Sequence, residues 1–144
     1  MPEFQRINGF VEHLAHGRMD FSSDQLVIAL TNTAPSAETA DPTILTTDAY
    51  KLALTEISYT GISSRNLTKT YSAQSNGVYK LVIQDLTLNF TATIAPFRYI
   101  YIYNDTKTND PLIAYYDYGE SLSFINGESL VIDFDDTNGA FTFS

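Results

Sequence analysis

Three groups of side chains have the types and spacing to do chemistry. The two histidines of the chain, His13 and His16, lie three residues apart with Glu12 beside them. On a helix they would share a face and offer a metal three ligand atoms. The zinc-helix pattern needs histidines four apart with the acid between them, and that order is absent. Polar residues on a solvated helix face account for the trio. A second group, Asp133, Asp135, Asp136 and Asn138 before Gly139, resembles part of a calcium loop. An EF-hand loop also needs a late bidentate glutamate, and the sequence ends before that position. Asp and Asn equally favour turns through local hydrogen bonds, so a plain turn is expected there. The third group is tyrosine, ten in all. Tyr99, Tyr101 and Tyr103 alternate with Ile100 and Ile102, and Tyr115, Tyr116 and Tyr118 follow. An apolar ring with a polar tip suits a protein interface, stacking on a sugar ring, or cross-strand packing inside a sandwich; packing or an interface is favoured.

The remaining motifs exclude more than they suggest. Nucleophilic catalysis needs an activated nucleophile beside a base; no G-x-S-x-G elbow and no phosphate-cradling glycine loop occurs. Paired carboxylates could serve a glycan hydrolase, but each acid of the C-terminal half falls at a turn or strand edge, where solvation explains it. The absence of cysteine excludes disulfides and thiolate metal sites. No cofactor and no catalytic residue is expected. Three Asn-x-Thr sequons, at Asn66, Asn89 and Asn104, read as strand threonines.

Charge narrows the partners. Seventeen acids oppose eight bases, a net −9. Residues 81–144 hold nine acids and only Arg98 and Lys107 as bases. Such a surface repels phosphate backbones and anionic membranes. It suits solubility or a basic protein partner. The N-terminus lacks the basic start and apolar run of a secretory signal, and no stretch reaches the roughly 18 apolar residues of a membrane span. Synthesis in a cytoplasm is therefore the expectation.

These residues must be positioned by something, and the periodicity says what. Phe4, Ile7, Val11 and Leu14, with Phe10 beside them, fall at helical spacing and predict a helix over 3–16. Pro2 suits its first turn and Gly17 its C-terminal cap. From there the period is two. Leu86, Leu88, Phe90, Ala92 and Ile94 alternate with polar residues, which predicts one strand over 86–94. Further strands are expected at 25–31, 52–59, 78–83, 98–103, 112–118, 121–125, 129–134 and 140–143. Turn signals separate them, Asn76-Gly77, Asn126-Gly127 and Asn138-Gly139 among them. Residues 32–48 carry two prolines and read as a long surface loop. The expectation is one all-β domain over 1–144, an antiparallel β-sandwich with jelly-roll topology as one form, preceded by a helical arm over 1–17.

Three stretches carry a resemblance: FVEHLAHGRMDFSSDQLVIALTNTAP, PFRYIYIYNDTKTNDPLIAYYDYGES and LSFINGESLVIDFDDTNGAFTF. They resemble small structural proteins of tailed bacteriophages, carried in the virion as head decoration or cement components. The likeness runs from about Asn8 to Ser144 and rests on strand-and-turn phrases; around residues 57–76 the chain departs from the glycine-rich loop of such proteins. The resemblance implies a non-enzymatic virion protein assembled in the host cytoplasm. It would bridge subunits of the major capsid protein, or contact other virion proteins, as a homo-oligomer, with a trimer favoured. A tail or fibre component is the nearest rival. A carbohydrate-binding module using exposed tyrosines and a glycan hydrolase are rivals of other classes. Candidate partner-contact residues are Phe4, Ile7, Phe10, Val11, Leu14, Pro35, Tyr99, Tyr101 and Tyr103; the helical segment and the 32–48 loop are the expected contact elements.

Overall fold

A computed structural model describes residues 2–35 and 50–144. Its strands are β1 (Gln5–Arg6), β2 (Leu26–Thr31), β3 (Lys69–Ser75), β4 (Val78–Ile83), β5 (Leu86–Asn89), β6 (Ile94–Asn104), β7 (Leu112–Phe124), β8 (Ser129–Ile132) and β9 (Phe141–Phe143). The one α-helix among the described residues, α1, spans Gly9–Ala15. The expected all-β, sandwich-like architecture with a short N-terminal helix is what forms. A four-stranded antiparallel sheet runs in the order β1-β7-β6-β2, and two smaller sheets, β3-β4-β9 and β5-β8, complete the fold.

The long hairpin β6–β7 is the axis of the molecule. β2 pairs with β6 in unbroken register from Leu26 opposite Asn104 to Thr31 opposite Tyr99. Every residue of β2 is buried, which explains why LVIALT is apolar without alternation: such a strand is covered on both faces. The alternation of β6 sorts its side chains between two cores. Ile100 and Ile102 join Ile28, Leu30, Leu81, Ile83 and Leu88 in the main core between the sheets. Tyr99, Tyr101 and Tyr103 point the other way, into a second cluster with Val27, Ala29, Leu54 and Leu112.

Several boundaries differ from the sequence reading, each for a physical reason. The helix is seven residues long and starts after residue 8. Gln5 and Arg6 instead pair with Tyr115 and Ala114 of β7, and the Ile7 amide donates to Ile113 O at 3.0 Å. An available sheet edge supplies those backbone groups with partners that the first turn of a helix would leave unsatisfied. The end of the helix follows expectation: Gly17 has φ +73, and the Arg18 amide donates to His13 O at 2.8 Å. The run over 52–59 is not a strand. Residues Lys51–Ala53 form a 3-10 turn, and the chain then crosses the tyrosine face, touching the sheet through a bridge between Thr31 and Glu56. The two strands expected over 112–125 are one strand of 13 residues, which continues through Gly119 at φ +79. The single strand expected over 86–94 is divided: β5 stops at Asn89, and Ile94 opens β6. β3 has no apolar alternation, and its residues are mostly exposed. It is held by the Asn76-Gly77 hairpin, whose φ values of +53 and +80 match the two positive-φ positions of a tight β-turn.

The N-terminal segment is integral to the domain, not a separable arm. Phe10 is 0% exposed and lies within 6.0 Å of the Phe21, Phe141 and Phe143 ring centroids.

Candidate functional site

The residues singled out by type do not converge. The helix turns His13 inward, fully buried, with its ring centroid 5.1 Å from that of Tyr50 and its Nδ1 3.3 Å from Arg18 Nη1. His16 sits at the C-cap with φ −94, outside the helical range, and its ring faces solvent 3.6 Å from Glu12. The shared face expected for the two imidazoles is therefore lost at the helix end. Among the described residues, no three His, Cys, Asp or Glu side chains are grouped to hold a metal ion.

The Asp133–Asn138 segment is a self-closed turn. Asp135 accepts hydrogen bonds from the amides of Thr137 (2.9 Å) and Asn138 (2.7 Å) and from Asn138 Nδ2 (2.9 Å). These bonds, the Asn138 amide foremost, hold its carboxyl below the usual range. Other acids are similarly employed. Asp85 caps the Phe134 amide at 2.8 Å, Glu128 accepts the Ile125 amide at 2.8 Å, and Asp117 takes both ends of the Arg98 guanidinium at 2.8 and 3.1 Å.

Of the candidate contact residues, Ile7, Phe10, Tyr99, Tyr101 and Tyr103 lie in the chain's own cores. Tyr101 is 2% exposed, donates its hydroxyl to Thr33 O at 3.0 Å, and packs its ring 5.7 Å from Tyr115. Burial pushes its phenol well above the ordinary value. Lys51 Nζ caps the Tyr103 ring at 4.7 Å. These tyrosines present no stacking platform and no contact face. Phe4 is half-buried edge-on against Tyr116 at 5.8 Å, and Pro35 is half-buried. Val11 and Leu14 are exposed, at 48% and 36%. They fall on the outward side of a helix whose inward side carries Phe10 and His13. The expected loop contact element lies largely outside the described residues, which stop at Pro35 and resume at Tyr50.

Two features had no local sequence signal. The first is a buried polar knot. Asp24 (2% exposed) receives Asn104 Nδ2 at 2.6 Å and the Asp20 amide at 2.8 Å; Lys69 Nζ donates to its carbonyl, and Lys107 Nζ lies 3.9 Å from its carboxylate. It ties three distant parts of the chain together, residues 20–24, Lys69 and residues 104–107. The second is a cleft of about 340 Å³ beside the end of α1, walled by Leu14, Phe21, Tyr79 and Phe143, with Asp20 at its rim. No spacing in the sequence links positions 14, 20, 79 and 143; the antiparallel pairing of β4 with β9 sets Tyr79 opposite Phe143, and the end of α1 and the segment after it border the same cleft.

No protein-family model, no curated protein and no solved structure matches this chain.

Proposed function

We propose that this protein is a non-enzymatic structural component of a tailed-phage virion, a decoration or cement protein that stabilises the head by bridging coat subunits as a homo-oligomer, with a trimer favoured. The observation that supports the reading is how the reactive side chains are spent. Tyr99, Tyr101, Tyr103 and Tyr116 fill cores, the best-placed carboxylates cap backbone amides or pair with arginine, and the buried acid is tied into a hydrogen-bonded knot. A protein whose task is to present a stable surface uses its polar groups this way. The stretches that carry the phage resemblance, residues 96–121 and 122–143, supply nearly all of β6 and β7 and the whole of β8 and β9. They are framework.

Exposed apolar side chains on separate elements, Val11 and Leu14 on α1, Tyr71 on β3 and Val131 on β8, leave area for docking. The sugar-binding reading loses its main support with Tyr99, Tyr101 and Tyr103 buried. Electron microscopy and mass spectrometry of purified particles test the proposal. The protein is expected in stoichiometric copies on the head lattice, and co-sedimentation with heads lacking it should restore that density. Binding to tail tubes alone would make it a tail component. Absence from particles would overturn the reading.

A further inference from the structure

The geometry points to the cleft between α1 and the β4–β9 edge as a receptor for an arginine side chain presented by a protein partner. The inference deepens the structural reading above and rests on it for the partner's class. Its chemistry, however, can be tested without a virion.

Tyr79 and Phe143 lie nearly parallel, 23° apart with ring centroids 5.7 Å apart, and the Phe21 ring lies 6.4 Å from Tyr79, also at 23°. These rings form an aromatic wall that is only partly covered at Tyr79 and Phe143. At the rim, the Asp20 carboxylate is exposed and accepts the Ser22 amide at 3.0 Å. Hydrogen bonds from Ser22, side chain first, hold its carboxyl below the usual range, so it is ionised at neutral pH. It is close enough to Tyr79 to add to the upward push on that phenol, which burial begins. The Tyr79 hydroxyl shares a 2.7 Å hydrogen bond with Ser72 Oγ.

The same chain shows what belongs between an aromatic face and a carboxylate. Arg65 lies 3.6 Å from the Tyr59 ring centroid and 4.0 Å from Glu56. Arg98 lies 5.1 Å from the Tyr99 ring centroid and is bidentate to Asp117. In the cleft the ring and the carboxylate are present, and among the described residues no cation lies within ion-pair distance of Asp20. Lys107 and Lys69 act on Asp20 only through the field of their charges and make their direct contacts elsewhere: Lys69 donates to the Asp24 carbonyl, and Lys107 lies 3.9 Å from the Asp24 carboxylate. A guanidinium suits the vacancy better than an ammonium, because its plane stacks on a ring while its fork meets a carboxylate. A cleft of about 340 Å³ has room for a guanidinium and its alkyl stem. The net charge of −9 favours the approach of a basic segment.

The test is an NMR titration of the isotope-labelled full chain with the blocked peptide acetyl-Gly-Arg-Gly-amide, alongside its lysine and norleucine counterparts. Saturable shifts are expected at Ser22, Ser72, Tyr79 and Phe143, with affinity falling from arginine to lysine to norleucine. Asp20→Asn should weaken the arginine peptide by about two- to fivefold, the range for an exposed ion pair. Added salt should weaken binding to the native chain and leave the variant unaffected, a comparison made within each protein and so independent of any change in its stability. No saturable shift with the arginine peptide, shifts centred elsewhere, or equal affinity for norleucine would overturn the inference. Failure here with the protein still found on heads would spare the structural reading; success here with the protein absent from particles would spare the cleft.

Discussion

At the scale of single residues, Asn104 and Asp24 show how a polar pair can be worth more to this fold than an apolar one. Asn104 is fully buried at the end of β6. Its amide nitrogen donates to Asp24 at 2.6 Å and to Arg18 O at 3.3 Å, and its Oδ1 accepts the Thr106 amide at 3.0 Å. One side chain thus satisfies groups from two loops and pins the start of β2 to the end of β6. Replacing it removes the shortest donor to a buried carboxylate, and the penalty is that of the group left behind. Asn104→Ala is expected to lower unfolding stability by about 3 kcal/mol, read as a fall in the urea midpoint with unchanged slope. Asn104→Asp should be worse still, since it sets two carboxylates against each other. A loss below about 0.5 kcal/mol, typical of an inconsequential surface change, would show that water replaces the amide.

At the scale of elements, the N-terminal segment and the final turn each carry more than their lengths suggest. The seven residues of α1 could not hold a helix alone; Phe10 anchors it against Phe21, Phe141 and Phe143. Phe10→Ala is expected to cost about 3–5 kcal/mol, and removal of residues 1–16 to prevent cooperative unfolding altogether. A truncated chain with a native thermal transition would refute this placement of α1. The 135–139 turn sets β9 against β4. Gly139 has φ +91, and a Cβ there would meet Lys80 Cγ at 2.7 Å and Leu81 O at 2.8 Å. Backbone strain and a clash with a fixed carbonyl then act together, so Gly139→Ala should destabilise by about 1–3 kcal/mol. Because Asp135 is already satisfied by amides of its own turn, calcium or a chelator should leave the melting temperature unchanged. A calcium-dependent rise would assign the turn a ligand role.

At the scale of the whole molecule, pH should act from both ends. Burial raises the phenols of Tyr101 and Tyr116 well above 10.0, raises that of Tyr59 with help from its bond to Glu56, and pushes Tyr118 up to about 12. A group whose folded value is raised stabilises the fold fully below its unfolded value and loses that contribution as pH rises through the folded one. Alkaline unfolding is therefore expected to begin above about pH 10, with these tyrosinates appearing in one steep absorbance step together with loss of β signal. Gradual ionisation with structure intact would contradict their burial. At the acid end, Asp117, held down chiefly by Arg98, and Asp20 and Asp135, held down by turn hydrogen bonds, lie below 3.8. Their contribution is complete above that value and fades as pH falls through the folded ones. Since all three are largely solvated, the acid limb should be shallow compared with the alkaline limb.

Some of these features are local to the chain, and others exist only once distant segments meet. The strands expected over 25–31, 78–83 and 98–103 correspond closely to β2, β4 and part of β6, because a short apolar or alternating run bounded by turn signals is a local property that survives any packing. The turns at Asn76-Gly77 and the stop at Gly17 were equally legible, since positive φ is a property of the residue itself. Which face of β6 meets which core was not. Tyrosine alternating with isoleucine says that two faces differ, but the second face is buried only because residues from 50 onward fold back over it, a contact between positions far apart in the chain. The phase of the N-terminal stripe departs from helical expectation for a related reason. Ile7 sits at helical spacing from Val11 and Leu14, yet the free edge of β7 captured the preceding backbone in a strand, leaving Ile7 buried and the other two exposed. β3 was invisible, because a polar strand exists only through the partner that it pairs with. The Asp24–Asn104 knot and the aromatic cleft beside Asp20 belong to the same class: their members are joined by sheet register across most of the chain, and no local pattern encodes a register.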